Sequence, residues 1–306
     1  MVSLARLGRY VLIFVLLTIV VFTGIANPRF LAVRNLLNIL LQISVLGIVS
    51  IGATVLLISS GLDLSVGSML SVSAYVAGLT IASIGSTALG ILVAIGVATG
   101  IGAVNGLLVS TDRAHPFIIT LGMMVFLQGV AIVISRGSPI NRMGGLYELL
   151  GIRHFLGIPL PVVVFAVLLV VVNFFLRNAP LGRYAYAIGG NEEASRLSGI
   201  RIKQVKIILY TLNGFLVGIA ALVLCAILDS ALPTMGSGYE LRAIAAAVIG
   251  GTPLFGGRGN VWGTLGGVLL LGLVSNSINL IGVSANFQNV VLGAIMIAAV
   301  MFQKSQ

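Results

Sequence analysis

The charged residues of this chain stand so far apart that the stretches between them limit its fold more than any motif does. The intervals 10–28, 35–62, 114–135, 154–176 and 207–228 contain no Asp, Glu, Lys or Arg, and each is long enough for the ~20 apolar residues of a membrane-spanning helix. Intervals 64–111 and 259–303 are 48 and 45 residues long and must each hold two spans, divided near Gly85-Ser86-Thr87 and near Gly282-Val283-Ser284. A further interval, 243–257, has 15 residues, about 22 Å of helix against a hydrocarbon core of ~30 Å. It is either a tilted tenth span or a broken half-helix. The expected fold is therefore an all-α polytopic membrane protein with about ten transmembrane helices.

Composition agrees. Of 306 residues 58% are hydrophobic and 8% charged, whereas a soluble domain carries about 25% charged residues. Gly supplies 39 residues, about twice the usual ~7%, which suits helices that pack backbone to backbone in lipid. A net charge of +10 could suggest nucleic acid, but the cations sit between the apolar runs. That placement suits membrane orientation and gives no nucleic-acid partner. Arg29, Arg34, Arg136, Arg142, Arg153 and Arg242 fall on one side of a ten-span chain and the other eleven cations on the opposite side. The positive-inside rule then places both termini and loop 177–206 in the cytoplasm and loop 136–158 in the periplasm. Arg6 and Arg9 before an apolar run and Thr23-Gly24-Ile25-Ala26 have the outline of a cleavable signal peptide, but the run is longer than a signal core.

Polar residues within the apolar stretches are few. Asp63, in Ser59-Ser60-Gly61-Leu62-Asp63-Leu64-Ser65-Val66-Gly67-Ser68, stands in a segment too rich in Gly and Ser for a helix interior, so this is a break between spans two and three. Asp63 or Ser65 can cap the third span, or Asp63 can act in a gate. Gln42, Asn105, Gln128, Asn173, Asn213, Asn276 and Asn279 fall in or near spans. Neutral amides can line a path for an uncharged polyol, and they serve equally well as interhelical hydrogen bonds. Asn276 and Asn279 are three apart and share a helix face. Of these, Gln42, Asp63, Asn105, Gln128, Asn276 and Asn279 are the candidates for a translocation path or gate.

Chemistry of other kinds finds no support. Cys225 is the one cysteine, and His115 and His154 have no second ligand at metal spacing. No cofactor is expected. The lysines Lys203, Lys206 and Lys304 do not follow a glycine, so there is no phosphate-binding loop and the chain is not expected to be an enzyme. Scarce intramembrane acids count against an ion-coupled secondary transporter. Ser65-Val66-Gly67-Ser68-Met69-Leu70 is faintly echoed by Asn260-Val261-Trp262-Gly263-Thr264-Leu265, as in transporters built from repeats.

Loop 177–206 is organised. In Gly189-Gly190-Asn191-Glu192-Glu193-Ala194-Ser195-Arg196-Leu197-Ser198-Gly199-Ile200, Asn191 can cap a helix, two acids occupy its positive first turn and Gly199 can end it. Ala194 and Leu197 give it a small apolar face beside the charges of Glu193 and Arg196. A helix of two turns is unstable alone in water, so the membrane domain or a partner must hold it.

These segments, with Leu181-Gly182-Arg183-Tyr184, Gly238-Tyr239-Glu240-Leu241, Gly250-Gly251-Thr252 and Gly256-Gly257-Arg258-Gly259, resemble the permease subunits of bacterial ABC importers for monosaccharides, and the ribose group most among them. The resemblance runs from about Asn27 to Met301. It implies a single permease domain over 1–306 in the bacterial inner membrane, carrying a ribose-like pentose or similar sugar. It also implies a cytoplasmic ATPase with two nucleotide-binding domains, a periplasmic sugar-binding protein and a second permease subunit, identical or not. By the same resemblance the segment from Gly190 through Ser198 to Gly199 docks on the ATPase. Permeases for branched-chain amino acids and nucleosides are similar and remain the alternative.

Overall fold

A computed structural model describes the backbone of residues 4–282 and isolated positions between 287 and 297, with side chains from residue 13 onward. Helices α1 (Leu4–Ala26), α2 (Val33–Ile58), α3 (Val66–Ile84), α4 (Thr87–Val109), α5 (Pro116–Ser135) and α6 (Leu160–Asn178) are followed by two short ones. These are α7 (Pro180–Gly190) and α8 (Glu192–Leu197). Then come α9 (Ile202–Leu228), α10 (Tyr239–Ile249) and α11 (Val261–Leu280). Seven of them, α2 to α6, α9 and α11, are long and apolar enough to cross a membrane, and α1 adds an apolar stretch over Ile13–Ala26. The chain is an all-α polytopic membrane protein. The interval 64–111 divides where expected, with Gly85 at φ 73° ending α3 and the Ser86 hydroxyl accepting from Leu89 N–H at 3.3 Å. The span expected after Gly282-Val283-Ser284 lies outside the described residues.

The ambiguous interval resolves as a half-helix. α10 has 11 residues, about 16 Å, because the chain before it is unwound. After β4 (Ser230–Ala231), which pairs antiparallel with β1 (Ile140–Asn141), residues 232–238 turn in to meet the start of α3. There Ser71 Oγ accepts from Gly236 N–H at 2.9 Å. The other short pair, β2 (His154–Phe155) with β3 (Ile158–Pro159), stands at the end of α6 remote from α7 and α8.

α2 and α9 form the centre. In the most apolar stretch of α2, 83% of residues are buried inside the protein, against 17% in α5, so α5 is a wall. α4 and α9 make the closest pairing. Gly102 on α4 meets Gly214 on α9 backbone against backbone, with Gly106 on α4 against the Ile207 backbone and Gly218 on α9 against the Ile95 backbone, and a side-chain carbon at Gly102 would lie 2.9 Å from the Gly214 Cα. Small residues four apart on both helices allow this approach, which supplies dispersion energy where lipid supplies no hydrophobic force.

Candidate functional site

The short helix α8 forms as its sequence dictates. Asn191 Oδ1 accepts from Ala194 N–H at 2.9 Å, and Ser195, buried, donates its hydroxyl to Asn191 O at 2.8 Å. Gly199 at φ 83° turns the chain out of the helix, as a residue without Cβ does at little cost. Glu192 and Glu193 occupy the first turn and lie 3.5 and 3.9 Å from Arg196. Ala194 is exposed and Leu197 is 82% exposed, so α8 presents its apolar knob outward. One contact escapes any motif: Lys206 Nζ lies 3.0 Å from both Glu192 and Asp112. It ties α8 to α9 and to the α4–α5 turn.

Directly before α8 lies α7, a helix where the sequence pattern suggests only loop. Pro180 in its first turn fixes the helical φ. Its C-terminal end joins two other segments. Tyr186 donates its hydroxyl to Gly259 O at 2.8 Å, Gly257 N–H donates to Ile58 O at 3.0 Å, and Ser60 Oγ donates to Phe255 O at 2.7 Å. Burial pushes the Tyr186 hydroxyl above the usual tyrosine range, with Arg177 partly offsetting it, so it remains a donor at neutral pH. Gly189 packs against the Ile58 carbonyl and the Gly257 amide with no room for a Cβ. The base of the α8 platform is thus pinned to the end of α2 and to the loop between α10 and α11.

Above this joint the Asp63 segment folds back among the helices. Asp63 is buried, and its Oδ1 accepts from Ser65 N–H at 2.9 Å and Ser65 Oγ at 2.6 Å. Asn213 Nδ2 donates to Oδ2 at 3.0 Å, and Asn105 Nδ2 reaches Ser65 Oγ at 2.8 Å. Tyr210 accepts from Leu62 N–H at 3.1 Å and returns its hydroxyl to Leu62 O at 2.9 Å. The cap expected for α3 is therefore used differently. Ser65 occupies the N-cap position without a side-chain cap, because its hydroxyl is needed by a carboxylate that has no cation beside it among the described residues. Neutral donors from α4 and α9 supply what water would.

The remaining path candidates do not gather around this hub. Asn276 is paired reciprocally with Asn35, Nδ2 to Oδ1 at 2.9 and 3.0 Å, an interhelical clamp at the other end of α2. Asn279, one turn on, is exposed, as are Gln42 and Gln128. Lys206, Asp112, Tyr210 and Ser60 carry contacts that no spacing in the sequence announces. Asn213 stood among the amides in or near spans but outside the path candidates, and Tyr210, three residues earlier on α9, shares its face. Thr234 and Ser237 are exposed in the unwound segment before α10; the short interval 243–257 signals the broken helix but not these two residues.

The family model described as "Branched-chain amino acid transport system / permease component" matches residues 35–300. The ribose import permease protein RbsC of Escherichia coli K12 is 42% identical over 94% of this chain and 90% of its own length, and RbsC of Bacillus subtilis 168 is 40% identical over 98% and 93%. The D-allose and L-arabinose transport system permease proteins of Escherichia coli K12, AlsC and AraH, are 34% and 32% identical, each over 97% of this chain, and 91% and 90% of their own lengths. No solved structure matches.

Proposed function

The chain belongs to the branched-chain amino acid transport system / permease component family, and on that premise we propose that it is the membrane-spanning subunit of an ABC importer for a monosaccharide. The observation that carries this reading is its likeness, along nearly the whole chain, to permeases for three sugars. The greater identity to the ribose permeases supports a ribose-like pentose.

The division of labour follows from what the residues can do. Without a phosphate-binding loop the chain cannot cradle ATP, so hydrolysis belongs to a separate cytoplasmic ATPase with two nucleotide-binding domains. A periplasmic binding protein delivers the sugar on the opposite face, and a second permease subunit completes the pathway. The protein resides in the bacterial inner membrane with both termini and the 177–206 loop cytoplasmic. Its docking element runs from Gly190 to Gly199, with Leu197 as the knob. Movement of α8 passes through Gly189 and Tyr186 to the 255–259 loop and so to α10. The path runs beside the unwound segment and α10, where Thr234 and Ser237 offer hydroxyls, since irregular backbone persists at membrane depth only where protein or a water-filled cavity surrounds it. Asp63 and Asn105 act as the hub that fixes the re-entrant loop. Asn276 is a clamp, and Gln42, Gln128 and Asn279 face outward from the bundle.

Leu197→Asp tests the docking assignment. Burying a leucine in a partner contributes roughly 1.5–3 kcal/mol, and an aspartate there adds a desolvation cost. Each 1.4 kcal/mol is about tenfold in affinity, so ATPase co-purification should weaken more than tenfold at unchanged yield of folded permease. Normal ATPase recovery and normal sugar uptake would reject it.

A further inference from the structure

Leu197 is not the only apolar side chain presented on the face that bears α8. Phe255, in the loop between α10 and α11, is 88% exposed, and among the large apolar side chains described only Leu156, in the hairpin remote from α8, matches it. Leu197 comes next. The two stand on segments that touch. Gly257 approaches the residue before the α8 cap so closely that a Cβ on it would lie 3.2 Å from the Gly190 Cα. From there α8 rises about 9 Å to Leu197, and Phe255 is two residues back along its own loop, so a single partner surface can cover both.

Phe255 is held out by a fixed backbone. Its carbonyl accepts from Ser60 Oγ at 2.7 Å, and Gly256 N–H closes a turn on Pro253 O at 3.2 Å. Gly256 at φ 84° turns the chain so tightly that a Cβ there would stand 2.8 Å from Ser60 N. A ring displayed in this way offers a partner apolar area without the cost of ordering a loop. Phenylalanine lacks the polar tip with which Trp and Tyr settle at a membrane surface, and Ser60, Asn191 and Arg258 around it are exposed. A second copy of this chain would have to meet the same face that α8 presents to the ATPase.

We propose that Phe255 is a second apolar contact for the ATPase and its handle on α10, an inference that rests on the reading of α8 as the docking element. Leu197 is separated from α10 by the whole joint at α7. Phe255 follows Ile249, the last residue of α10, within one short stretch of chain. In this arrangement α8 anchors the ATPase, and Phe255 carries its movement to the broken segment.

Cross-linking tests the contact. The purified full chain with Phe255→Cys or Leu197→Cys, in a Cys225→Ala background, is coupled to benzophenone maleimide, mixed with the ATPase of the same importer and irradiated. Both positions should give a permease–ATPase product. A product from position 197 alone would overturn the proposal and leave the α8 reading standing. A permease–permease product from position 255 would also overturn it and assign Phe255 to a second copy. No product from either position would remove the α8 reading and the proposal together. Phe255→Ser should lower ATPase affinity about tenfold, as expected for a buried aromatic side chain, at unchanged yield, and Phe255→Leu should keep most of it. At saturating ATPase, sugar carried per ATP hydrolysed should stay severalfold low in Phe255→Ser and recover in Leu197→Asp. Full affinity in Phe255→Ser would refute the contact, and equal recovery in the two variants would refute the handle.

Discussion

The α4–α9 seam and the broken segment around α10 both depend on glycine, in opposite ways. In the seam, Gly102, Gly106, Gly214 and Gly218 stay inside continuous helices and only remove side chains, so that two backbones touch. Around α10 the backbone leaves the helix. Gly238 at φ 86° and Gly257 at φ 76° take a conformation that a β-carbon disfavours, and the freed amides need dedicated acceptors. Gly238 N–H donates to Glu240 Oε1 at 3.1 Å, and Gly257 N–H to Ile58 O at 3.0 Å. Shifting the seam would break packing along two whole helices, whereas shifting α10 exchanges a few hydrogen bonds. The seam is the frame, and the broken segment is the part suited to move.

The largest effect should come from breaking the frame. Gly214→Leu forces a side chain into the backbone of Ala98 and Gly102, which cannot swing aside. Overpacking of this kind costs about 3 kcal/mol or more, so monodisperse protein should be nearly absent by size exclusion. Gly96→Leu is the control, because Gly96 is on the same helix as the seam but exposed, with open space around it. Equal yields of the two variants would refute the frame.

A smaller effect, on function and not on folding, is expected at the joint. Gly189→Ala pushes the end of α7 away from the Ile58 carbonyl and the Gly257 amide, and because Ile58 is buried while the 255–259 loop carries the exposed Phe255, the loop is the side that yields. Folded protein should be recovered normally and ATP hydrolysis by the assembly should persist, while sugar uptake falls about tenfold, equivalent to ~1.4 kcal/mol of lost coupling. Uptake that keeps pace with hydrolysis would show that the joint transmits nothing.

How much of this was legible follows from which interactions are local. The break at Gly85-Ser86, the Asn191 cap and the Gly199 stop were readable because each is decided within four residues. The echo between Ser65-Val66 and Asn260-Val261 marked two true helix starts. Only Asn260 caps its helix, accepting from Gly263 N–H at 2.7 Å, because Ser65 is diverted to Asp63. That diversion depends on Asn105 and Asn213, distant in sequence, and no periodicity carries it. Lys206, 94 residues from Asp112, was hidden for the same reason. α7 was missed because its glycines, Gly182, Gly189 and Gly190, argue against a helix by propensity. Packing of Gly182 on the Leu176 backbone overrides them.

The smallest expected effect is at Lys206, and it separates the two ways in which α8 could be held. Its side chain is only 13% exposed and meets two carboxylates at 3.0 Å. Exposed ion pairs contribute about 0.2–1 kcal/mol each, and two partly shielded ones belong near the upper end of that range. Lys206→Met keeps the apolar stem that packs on the bundle and removes the charge. Six residues of helix do not hold their shape alone, so α8 should sample more orientations and the ATPase should bind about fivefold more weakly, with yield unchanged. Asp112→Asn removes one of the two partners and should weaken binding less. The double variant should show less than the sum, because both act on one network. Titration of ATPase binding at low and high salt gives a second readout: the unsubstituted permease should lose affinity as salt screens the pairs, and Lys206→Met should lose less. Equal salt sensitivity and full affinity in Lys206→Met would mean that the Asn191 cap and the joint at Gly189 hold α8 by themselves.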